Sequence, residues 1–193
     1  MAAATRPVLL FDLDGIVTDL VTKWLAVYNR DYHDNLTLAD ITSWNWDQFV
    51  KPEVGKRIYH YLSRPGFFAD LKPIPGAIGT LERLSHRLEL VVVTASPGSG
   101  MRDKADWVRQ HLPFVPKHNL VVTYRKDLVL GDFMFDDAPR NLAHTPATRI
   151  IMDYPYNRDF EDAYRVHNWA EFEALLDGLL ARRFQGLPLE HTG

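Results

Sequence analysis

The chain has no cysteine among its 193 residues, and this absence removes several kinds of chemistry. Disulfide bonds, thiolate nucleophiles and cysteine-ligated metal sites all require a residue that the sequence does not contain. Because proteins of any compartment can lack cysteine, its absence says nothing about where the protein is located.

Long apolar runs and a strong excess of charge are also missing. Every uninterrupted apolar run is much shorter than the ~20 residues that a membrane helix requires, and the stretch Met1–Pro7 does not resemble a secretory signal. The net charge of -3 argues against a general nucleic-acid-binding surface, which is usually basic. We therefore expect a cytoplasmic protein with no membrane partner and no stable contact with nucleic acid.

The rest of the composition is that of an ordinary globular protein. Hydrophobic residues make up 46% of the chain and charged residues 24%. A chain of 193 residues is long enough to bury one sizeable core and to carry a small insertion as well.

The most informative stretch is Val8–Asp19, VLLFDLDGIVTD. Its four opening apolar residues predict a strand that is buried on both faces, as in a parallel sheet. Asp12 and Asp14 project to the same side, because a strand has a period of two, and such a pair is costly unless a cation or a proton lies between them. Gly15 permits a sharp turn that brings backbone N–H groups near a ligand. The alternative is a solvated turn in which both Asp side chains are caps.

A second apolar stretch, Leu88–Val93, predicts another buried strand, and this strand stops at hydroxyl-bearing residues. Thr94, Ala95 and Ser96 follow, and their hydroxyl and backbone N–H groups could donate hydrogen bonds to phosphate oxygens. In isolation, the stretch is better explained as a Ser/Thr turn that caps the next helix.

Three further strands are predicted, at Leu120–Val122, Phe133–Phe135 and Arg149–Met152. The middle one ends at Asp136 and Asp137, which repeats the arrangement of the first strand. Strands that alternate with helices predict an α/β fold, with a Rossmann-like, doubly wound parallel sheet. Because ligands of such sheets bind at the carboxyl ends of the strands, the two acidic pairs, Thr94 and the nearby Lys126 can converge.

Residues 19–73 differ from the rest of the chain. Helical spacing predicts helices over about 19–32, 38–41 and 52–62, and no strand-like apolar run occurs between them. We expect a small helical cap here, inserted into a catalytic core made of residues 1–18 and 74–193. Trp44, Trp46 and Phe67 could stack on a nucleobase, although core packing better explains most of the aromatic rings in this segment.

The acidic pairs, Thr94 and Lys126 would form an oxygen-rich pocket with one mobile cation, the lysine. This composition indicates the type of reaction. Oxygen ligands suit a hard ion such as Mg²⁺. A carboxylate nucleophile, a metal ion and donors for phosphate oxygens together suit phosphoryl transfer.

These residues resemble the four motifs of the haloacid dehalogenase superfamily, and the resemblance covers nearly the whole chain. The motifs stand here as Asp12-Leu13-Asp14-Gly15, Thr94, Lys126 and Asp136-Asp137. The resemblance implies a Rossmann-like core with a helical cap. It also implies that Asp12 attacks phosphorus to give an aspartyl-phosphate, while Asp14 first protonates the leaving oxygen and then activates water.

The same resemblance implies the binding roles. Mg²⁺ would be held by the Asp12 carboxylate, the Asp14 backbone carbonyl and the Asp136 carboxylate. Thr94 and Lys126 would bind the phosphoryl oxygens, with Ala95 and Ser96 beside them. Gly15 and Asp137 would support the site, and Asp137 would orient Lys126 or a metal-bound water.

Within the superfamily, the chain resembles the 5′(3′)-deoxyribonucleotidases. The stretches that carry this resemblance are Asp12-x-Asp-Gly-x-x-x-Asp19, Phe67-Phe68 leading to Pro73-Ile74-Pro75-Gly76-Ala77, Lys126 ten residues before Asp136-Asp137, and Asn168-Trp169-Ala170. Two departures concern substrate preference. Thr94-Ala95-Ser96-Pro97 is one residue longer than the eukaryotic Thr-Ser-Pro, and Leu20 stands where those enzymes carry an aromatic residue.

The resulting hypothesis is a Mg²⁺-dependent phosphatase whose partner is a small phosphomonoester, a deoxyribonucleoside monophosphate. Three alternatives stay open: a phosphatase for a sugar phosphate, a 3′-phosphatase of nucleic-acid ends, and a domain that binds a phosphorylated ligand without turnover. The acidic balance counts against the nucleic-acid reading, and the complete acidic and lysine set counts against the non-enzyme reading. The sequence leaves a homodimer open.

Overall fold

A computed structural model describes residues 6–187, so the ends of the expected core, residues 1–5 and 188–193, lie outside the described residues. The strands are β1 Val8–Phe11, β2 Glu89–Thr94, β3 Leu120–Val122, β4 Phe133–Asp136, β5 Thr148–Met152 and β6 Tyr164–Val166. They form one parallel sheet in the order β3-β2-β1-β4-β5-β6. This order is that of a Rossmann-like sheet and confirms the predicted α/β fold.

The α-helices of the described residues are α1 Leu20–Tyr32, α2 Ala77–Ser85, α3 Gly98–His111, α4 Pro139–Leu142 and α5 Trp169–Phe184. Helix α5 begins at an N-cap, where the Asn168 side chain accepts a hydrogen bond from Glu171 N–H at 2.9 Å. The Glu171 carboxylate in turn accepts a hydrogen bond from His167 N–H. This capping fixes where the last helix returns to the sheet.

Alternate residues of the central strands enter two separate hydrophobic clusters, one on each face of the sheet. Leu9 and Phe11 belong to the larger cluster, which also contains buried residues of α2, α3 and α5, whereas Leu10 belongs to the smaller one. Every one of these strand residues is fully buried. The period-two pattern therefore places apolar side chains on both faces and leaves the strand ends for polar groups.

 Strands β1 and β4 are neighbours in the sheet, with Phe11 paired to Phe135, although 121 residues lie between the end of one strand and the start of the other. Residues 12–132 form the connection from the end of β1 to the start of β4. Asp12 N–H donates to Phe135 O at 3.0 Å, which continues the ladder one residue beyond β1. The chain leaves this point in opposite directions across the sheet, so a crevice forms between β1 and β4 at their carboxyl ends.

The segment between β1 and α2 holds α1 and three 3₁₀-helices, Leu38–Asp40, Trp46–Gln48 and Gly55–Ser63. Helix α1 starts where expected, with the Asp19 carboxylate accepting Thr22 N–H at 3.1 Å. The helix expected over 52–62 is the 3₁₀-helix Gly55–Ser63, and the helix expected over 38–41 is the 3₁₀-helix Leu38–Asp40. Trp24 and Trp46 stack with their ring centroids 4.3 Å apart, and both belong to the same hydrophobic cluster as Leu9 and Phe11 of the sheet.

Strand β6 was not predicted, and it adds a sixth member at the edge of the sheet beside β5. It contains only Tyr164–Val166, which is too short to show a strand pattern in the sequence. Among the described residues, no helix has both the length and the apolar character needed to cross a membrane.

Candidate active site

The candidate site lies at the carboxyl ends of three adjacent strands. Strand β2 ends at Thr94 and β4 ends at Asp136, and Asp12 directly follows β1, which lies between them. Lys126 is in a short 3₁₀-helix, Lys126–Leu128, between β3 and β4. The structure therefore brings together the acidic pairs, the hydroxyl and the lysine that the sequence motifs single out.

Lys126 joins two of the carboxylates. Its Nζ lies 2.9 Å from Asp12 Oδ1 and 2.7 Å from Asp136 Oδ2, and the lysine side chain is 1% exposed. The other Asp136 oxygen accepts hydrogen bonds from Ala138 N–H at 2.9 Å and from the Asn141 amide at 3.0 Å. Asp136 is therefore held on both oxygens, and Lys126 has almost no freedom to move.

The electrostatics of this cluster are dominated by burial. Burial raises the pKa of Asp136, and the Lys126 ammonium opposes that shift. Burial raises the pKa of Asp137 well above its usual range, and the negative charges of Asp136 and Asp12 add to the effect. Burial favours the neutral amine of Lys126, but Asp12 and Asp136 outweigh it and hold its pKa above the usual range.

Asp12, Asp136 and Asp137 form a buried group that can hold a metal ion. One oxygen from each carboxylate lies within 4.8 Å of the others. Three carboxylates beside a single lysine leave an excess of buried negative charge, which is costly without a further cation. An all-oxygen donor set of this kind fits a hard divalent ion such as Mg²⁺.

The Asp14 side chain is directed away from that group. Thr18 Oγ1 donates to Asp14 Oδ1 at 3.1 Å, and the Lys104 ammonium forms an ion pair with Asp14 Oδ2. Burial raises the pKa of Asp14, while Lys104 lowers it and Asp12 raises it further. The Asp14 side chain is thus engaged by Thr18 and Lys104, and a metal contact through its backbone carbonyl stays a prediction.

Sequence reasoning missed Lys104, which lies on α3 and is 1% exposed. Its position did carry a signal. Lys104 is four residues before Val108 and eight before Leu112, so it shares the helix face that those apolar residues bury. A lysine on a buried face requires a carboxylate or carbonyl partner, and here it finds both.

Gly15 is required by the close approach of two loops. Its φ is +73°, and a Cβ atom at this position would lie 2.7 Å from Asp137 Oδ2. The same Asp137 oxygen accepts a hydrogen bond from Tyr156 Oη at 2.6 Å, and Asn157 donates to the Asp137 backbone carbonyl at 2.8 Å. Asp137 is thus fixed against the Gly15 turn, whereas a side chain at residue 15 would push it away.

The two hydroxyl groups at the end of β2, those of Thr94 and Ser96, have different hydrogen-bond partners. Thr94 is fully buried, and its Oγ1 accepts a hydrogen bond from Lys104 Nζ at 3.1 Å. Ser96 Oγ donates to the backbone carbonyl of Pro97 at 2.9 Å, and Pro97 directly precedes α3. Ala95 and Ser96 both line the cavity described next.

A cavity of about 490 Å³ opens over the acidic cluster. Its lining combines the strand ends with aromatic residues of the 19–73 segment: Trp24, Trp44, Trp46, Tyr59 and Phe68. This volume is within the range of small-molecule sites. The cavity therefore lies between the segment and the sheet, with Asp12, Asp14 and Lys126 along one side.

The three aromatic residues singled out in the sequence occupy different environments. The Trp44 ring lines the cavity and is 36% exposed, with the Arg140 guanidinium 5.1 Å from its centroid. Trp46 also lines the cavity, but one face of its ring is covered by Trp24. Phe67 is not among the lining residues, because its ring packs on Tyr61; its neighbour Phe68 reaches the cavity instead.

Comparison with known proteins identifies relatives across most of the chain. Residues 6–184 match the family model described as "5' nucleotidase, deoxy (Pyrimidine), cytosolic type C protein". The chain is 34% identical over 174 residues to the 5'(3')-deoxyribonucleotidase of Clostridium acetobutylicum, with 90% of this chain and 97% of the relative covered. It is 28% identical over 173 residues to the 5'(3')-deoxyribonucleotidase of Bacillus subtilis, with 89% and 99% covered.

Two solved structures share the fold. YfnB from Bacillus subtilis, described as a HAD-hydrolase bound to magnesium, has a TM-score of 0.57 at 16% identity, with 90% of this chain and 99% of that chain covered. A haloacid dehalogenase-like hydrolase family protein from Streptococcus pneumoniae has a TM-score of 0.58 at 13% identity, with 90% and 100% covered. At these identities the likeness concerns the fold alone.

Proposed function

Because the chain belongs to the 5′(3′)-deoxyribonucleotidase family of haloacid dehalogenase-type phosphatases and is a phosphomonoester hydrolase, we propose that it dephosphorylates deoxyribonucleoside monophosphates through an aspartyl-phosphate. The observation that carries the proposal is the placement of Asp12. Its carboxylate lies beside Lys126 at the floor of a cavity with an aromatic wall. Nucleophile, cation and aromatic surface are thus within one enclosure.

In the first half of the reaction, Asp12 attacks phosphorus. Leu13 N–H donates to Asp12 Oδ1 at 2.7 Å, and Lys126 lies beside the same oxygen, so the nucleophile is Oδ2. A bond forms between Asp12 and phosphorus while the ester bond between phosphorus and the nucleoside oxygen breaks. Asp14 donates a proton to that leaving oxygen, and the nucleoside departs with a restored hydroxyl.

In the second half, water hydrolyses the aspartyl-phosphate. Asp14, now ionised, takes a proton from the water as its oxygen attacks phosphorus. The bond between phosphorus and Asp12 breaks, which returns the Asp12 carboxylate and releases inorganic phosphate. Asp14 thereby serves as acid and then as base without a net gain or loss of protons.

The phosphoryl group is held by donors on two strand ends. Lys126 supplies a fixed positive charge from the β4 side, and Thr94 supplies a hydroxyl from the β2 side, with Ala95 and Ser96 lining the cavity beside it. Donors that are already in place cost little reorganisation when charge develops on the phosphoryl oxygens. Asp137 and Gly15 act as supports that keep the two loops in register.

The proposal includes Mg²⁺ at the buried carboxylates. Asp12 and Asp136 would hold the ion together with the Asp14 backbone carbonyl, and Asp137 lies close enough to orient a bound water. When bound, the ion would neutralise charge on the phosphoryl oxygens as a Lewis acid. The excess of carboxylates over lysine in the cluster supports this assignment, and a structural neighbour described as bound to magnesium agrees with it.

We propose that residues 19–73 act as a cap that binds the nucleoside. Rings of this segment line the cavity opposite the acidic cluster, and Trp44 is the most exposed of them. Trp46 is covered on one face by Trp24, so only the other face of its ring would be left to contact the nucleoside. Phe67 would act indirectly, by packing behind Phe68.

Location and assembly are also proposals. The family description names a cytosolic protein, which supports the expected cytoplasmic location. The expected lack of stable contact with nucleic acid follows from the net charge of -3 and from a cavity suited in size to a small molecule. A homodimer remains compatible with this proposal.

A phosphate-release screen tests the proposal. Purified protein with Mg²⁺ is assayed against 5′- and 3′-deoxyribonucleoside monophosphates with pyrimidine and purine bases, matched ribonucleotides, sugar phosphates and 3′-phosphorylated DNA ends. We expect the highest kcat/KM for a deoxyribonucleoside monophosphate. A clear preference for sugar phosphates or DNA ends would overturn the substrate assignment, and binding of nucleotide without any phosphate release would favour a ligand-binding domain.

A further inference from the structure

Lys104 is a buried cation at the site that the proposed reaction leaves without a role. Its Nζ forms an ion pair with Asp14 Oδ2 and donates to Thr94 Oγ1 at 3.1 Å and to the Ala95 backbone carbonyl at 2.5 Å. An ammonium group has three N–H donors, and these three acceptors occupy all of them. Lys104 therefore connects the end of β1 with the end of β2 through a single atom.

Both oxygens of Asp14 are restrained as a result. Thr18 Oγ1 donates to one oxygen and Lys104 to the other, so the plane of the carboxylate is set by two donors on opposite sides. Thr18 is fully buried, and its single hydroxyl hydrogen is shared between Asp14 Oδ1 and the Leu13 backbone carbonyl, each 3.1 Å away, which anchors it to the same turn. The orientation of Asp14 thus depends on one neutral hydroxyl and one charged group from α3.

The contact with Thr94 has a further consequence. Because Lys104 donates to Thr94 Oγ1, the hydroxyl accepts through one lone pair and keeps its own hydrogen for another acceptor. The nearest protein acceptor is Ala95 O at 3.4 Å, a long contact. The hydroxyl hydrogen is therefore held only by this long contact, while Thr94 itself is fully buried and does not line the cavity.

The 19–73 segment covers this lysine. The Phe68 ring lies over Lys104 Nζ, 4.6 Å from the ring centroid. Helix α3 can approach this closely because residue 100 is glycine: a Cβ atom there would lie 2.7 Å from the Phe68 ring and 2.9 Å from Ser96 Oγ. Phe68 thus shields the ion pair from water and keeps Lys104 against Asp14.

We infer that Lys104 is a positioning residue that holds Asp14 in line with the leaving oxygen. The inference rests on the proposed function, in which Asp14 transfers the proton. A positioning role predicts a loss that depends on how much the leaving group needs a proton. A sugar hydroxyl is a poor leaving group and requires protonation, whereas nitrophenolate departs readily without it.

The test compares Lys104→Met with wild type on deoxyuridine 5′-monophosphate and on p-nitrophenyl phosphate. Met keeps the length and apolar stem of the side chain while removing the charge. Since kcat/KM reports substrate binding and aspartyl-phosphate formation, it leaves the later hydrolysis of the intermediate out of the comparison. We expect a loss of about 100-fold or more for the nucleotide, as general acid–base catalysis is worth ~10²–10⁴-fold, and a loss several times smaller for the nitrophenyl ester.

Lys51→Met provides the matched control. The ammonium group of Lys51 is anchored as well, because it donates to the backbone carbonyls of Tyr32 at 2.7 Å and His33 at 3.3 Å. It does not line the cavity. This variant should keep the wild-type ratio between the two substrates.

The outcomes distinguish a failure of the proposed function from a failure of the positioning role of Lys104. If wild type hydrolyses neither substrate, the proposed function fails. If wild type hydrolyses both and Lys104→Met loses both equally, or neither, the positioning role is overturned while the function stands. If Lys104→Met does not fold, Lys104→Ala assayed with and without methylamine decides: rescue of nucleotide turnover by the amine supports the role, and lack of rescue overturns it.

Discussion

Lys126 Nζ and Asp136 Oδ2 lie 2.7 Å apart at a point where both side chains are buried. Ten residues separate them in the chain, and β4 carries Asp136 back to the site from the loop that holds Lys126. The pair depends on this spacing, because a strand of fixed rise returns the chain to the same edge of the sheet. Removing either partner would leave the other charge buried and unpaired, which is far more costly than losing a surface ion pair.

Replacing Asp12 by Asn should abolish turnover without unfolding the protein. Asn keeps the shape of the side chain but is a very poor nucleophile, so no aspartyl-phosphate can form. Phosphate release measures the activity, and thermal unfolding measures the fold. Normal steady-state turnover by a folded Asp12→Asn variant would rule out the covalent mechanism.

Activity should require Mg²⁺, and Ca²⁺ should inhibit it. Ca²⁺ forms longer bonds and accepts more ligands, so it would misalign the attack by Asp12 although the same carboxylates can bind it. Phosphate release is measured after chelation and again after each ion is restored. Full activity in excess chelator would contradict the metal assignment.

Much of the fold was predictable because its signals are local. The apolar runs at Val8–Phe11 and Leu120–Val122 correspond to strands with the same bounds, and the turn residues after each run mark where the strand ends. The acidic pairs could be assigned to one site because parallel strands end at a common edge. The same reasoning accounts for the ion pair between Lys126 and Asp12, although these residues are 114 positions apart in the chain.

The missed features depend on contacts between distant parts of the chain. The position of Lys104 on the apolar side of its helix predicts burial, but the pattern does not reveal its partner, because Asp14 is 90 positions away in the chain. Trp46 resembles a loop residue, yet it stacks on Trp24 of α1. The sequence pattern cannot decide which of the adjacent rings Phe67 and Phe68 faces the cavity, because the chain there is neither a regular strand nor an α-helix.

Replacing Trp44 by Ala should selectively weaken the hydrolysis of nucleotides. A stacking contact is worth ~1–3 kcal/mol, which corresponds to a loss of ~5- to 150-fold in kcat/KM. Hydrolysis of p-nitrophenyl phosphate, which lacks a base and sugar, should fall much less because the acidic cluster is unchanged. Phe67→Ala is the comparison: it removes a buried ring away from the cavity lining, so both substrates should respond alike. Equal losses for both substrates in Trp44→Ala would show that its ring is structural.

Replacing Tyr28 by Phe should destabilise the protein at neutral pH and make its stability less sensitive to alkali. Tyr28 Oη donates to Asp34 Oδ2 at 2.5 Å and accepts a hydrogen bond from Lys51 N–H at 2.9 Å. Burial, aided by the hydrogen bond to Asp34, raises the pKa of Tyr28 to about 12. Because the half-buried Lys51 N–H and the Asp34 carboxylate would both lose their partner, we expect Tyr28→Phe to lose about 1–3 kcal/mol of unfolding free energy at pH 7.

The raised pKa of Tyr28 sets the sign of the alkaline response. The phenol of the unfolded chain ionises near pH 10, but that of the folded protein ionises near pH 12, so the folded state holds one more proton in this window. The contribution of the Tyr28 phenol to the unfolding free energy is complete below pH 10. It is lost as the pH rises towards 12, at about 1.4 kcal/mol per pH unit. Urea unfolding of both proteins from pH 7 to 11.5 measures the difference. The gap between wild type and Tyr28→Phe should narrow above pH 10, and a gap that stays constant or widens would contradict the assignment of this hydrogen bond.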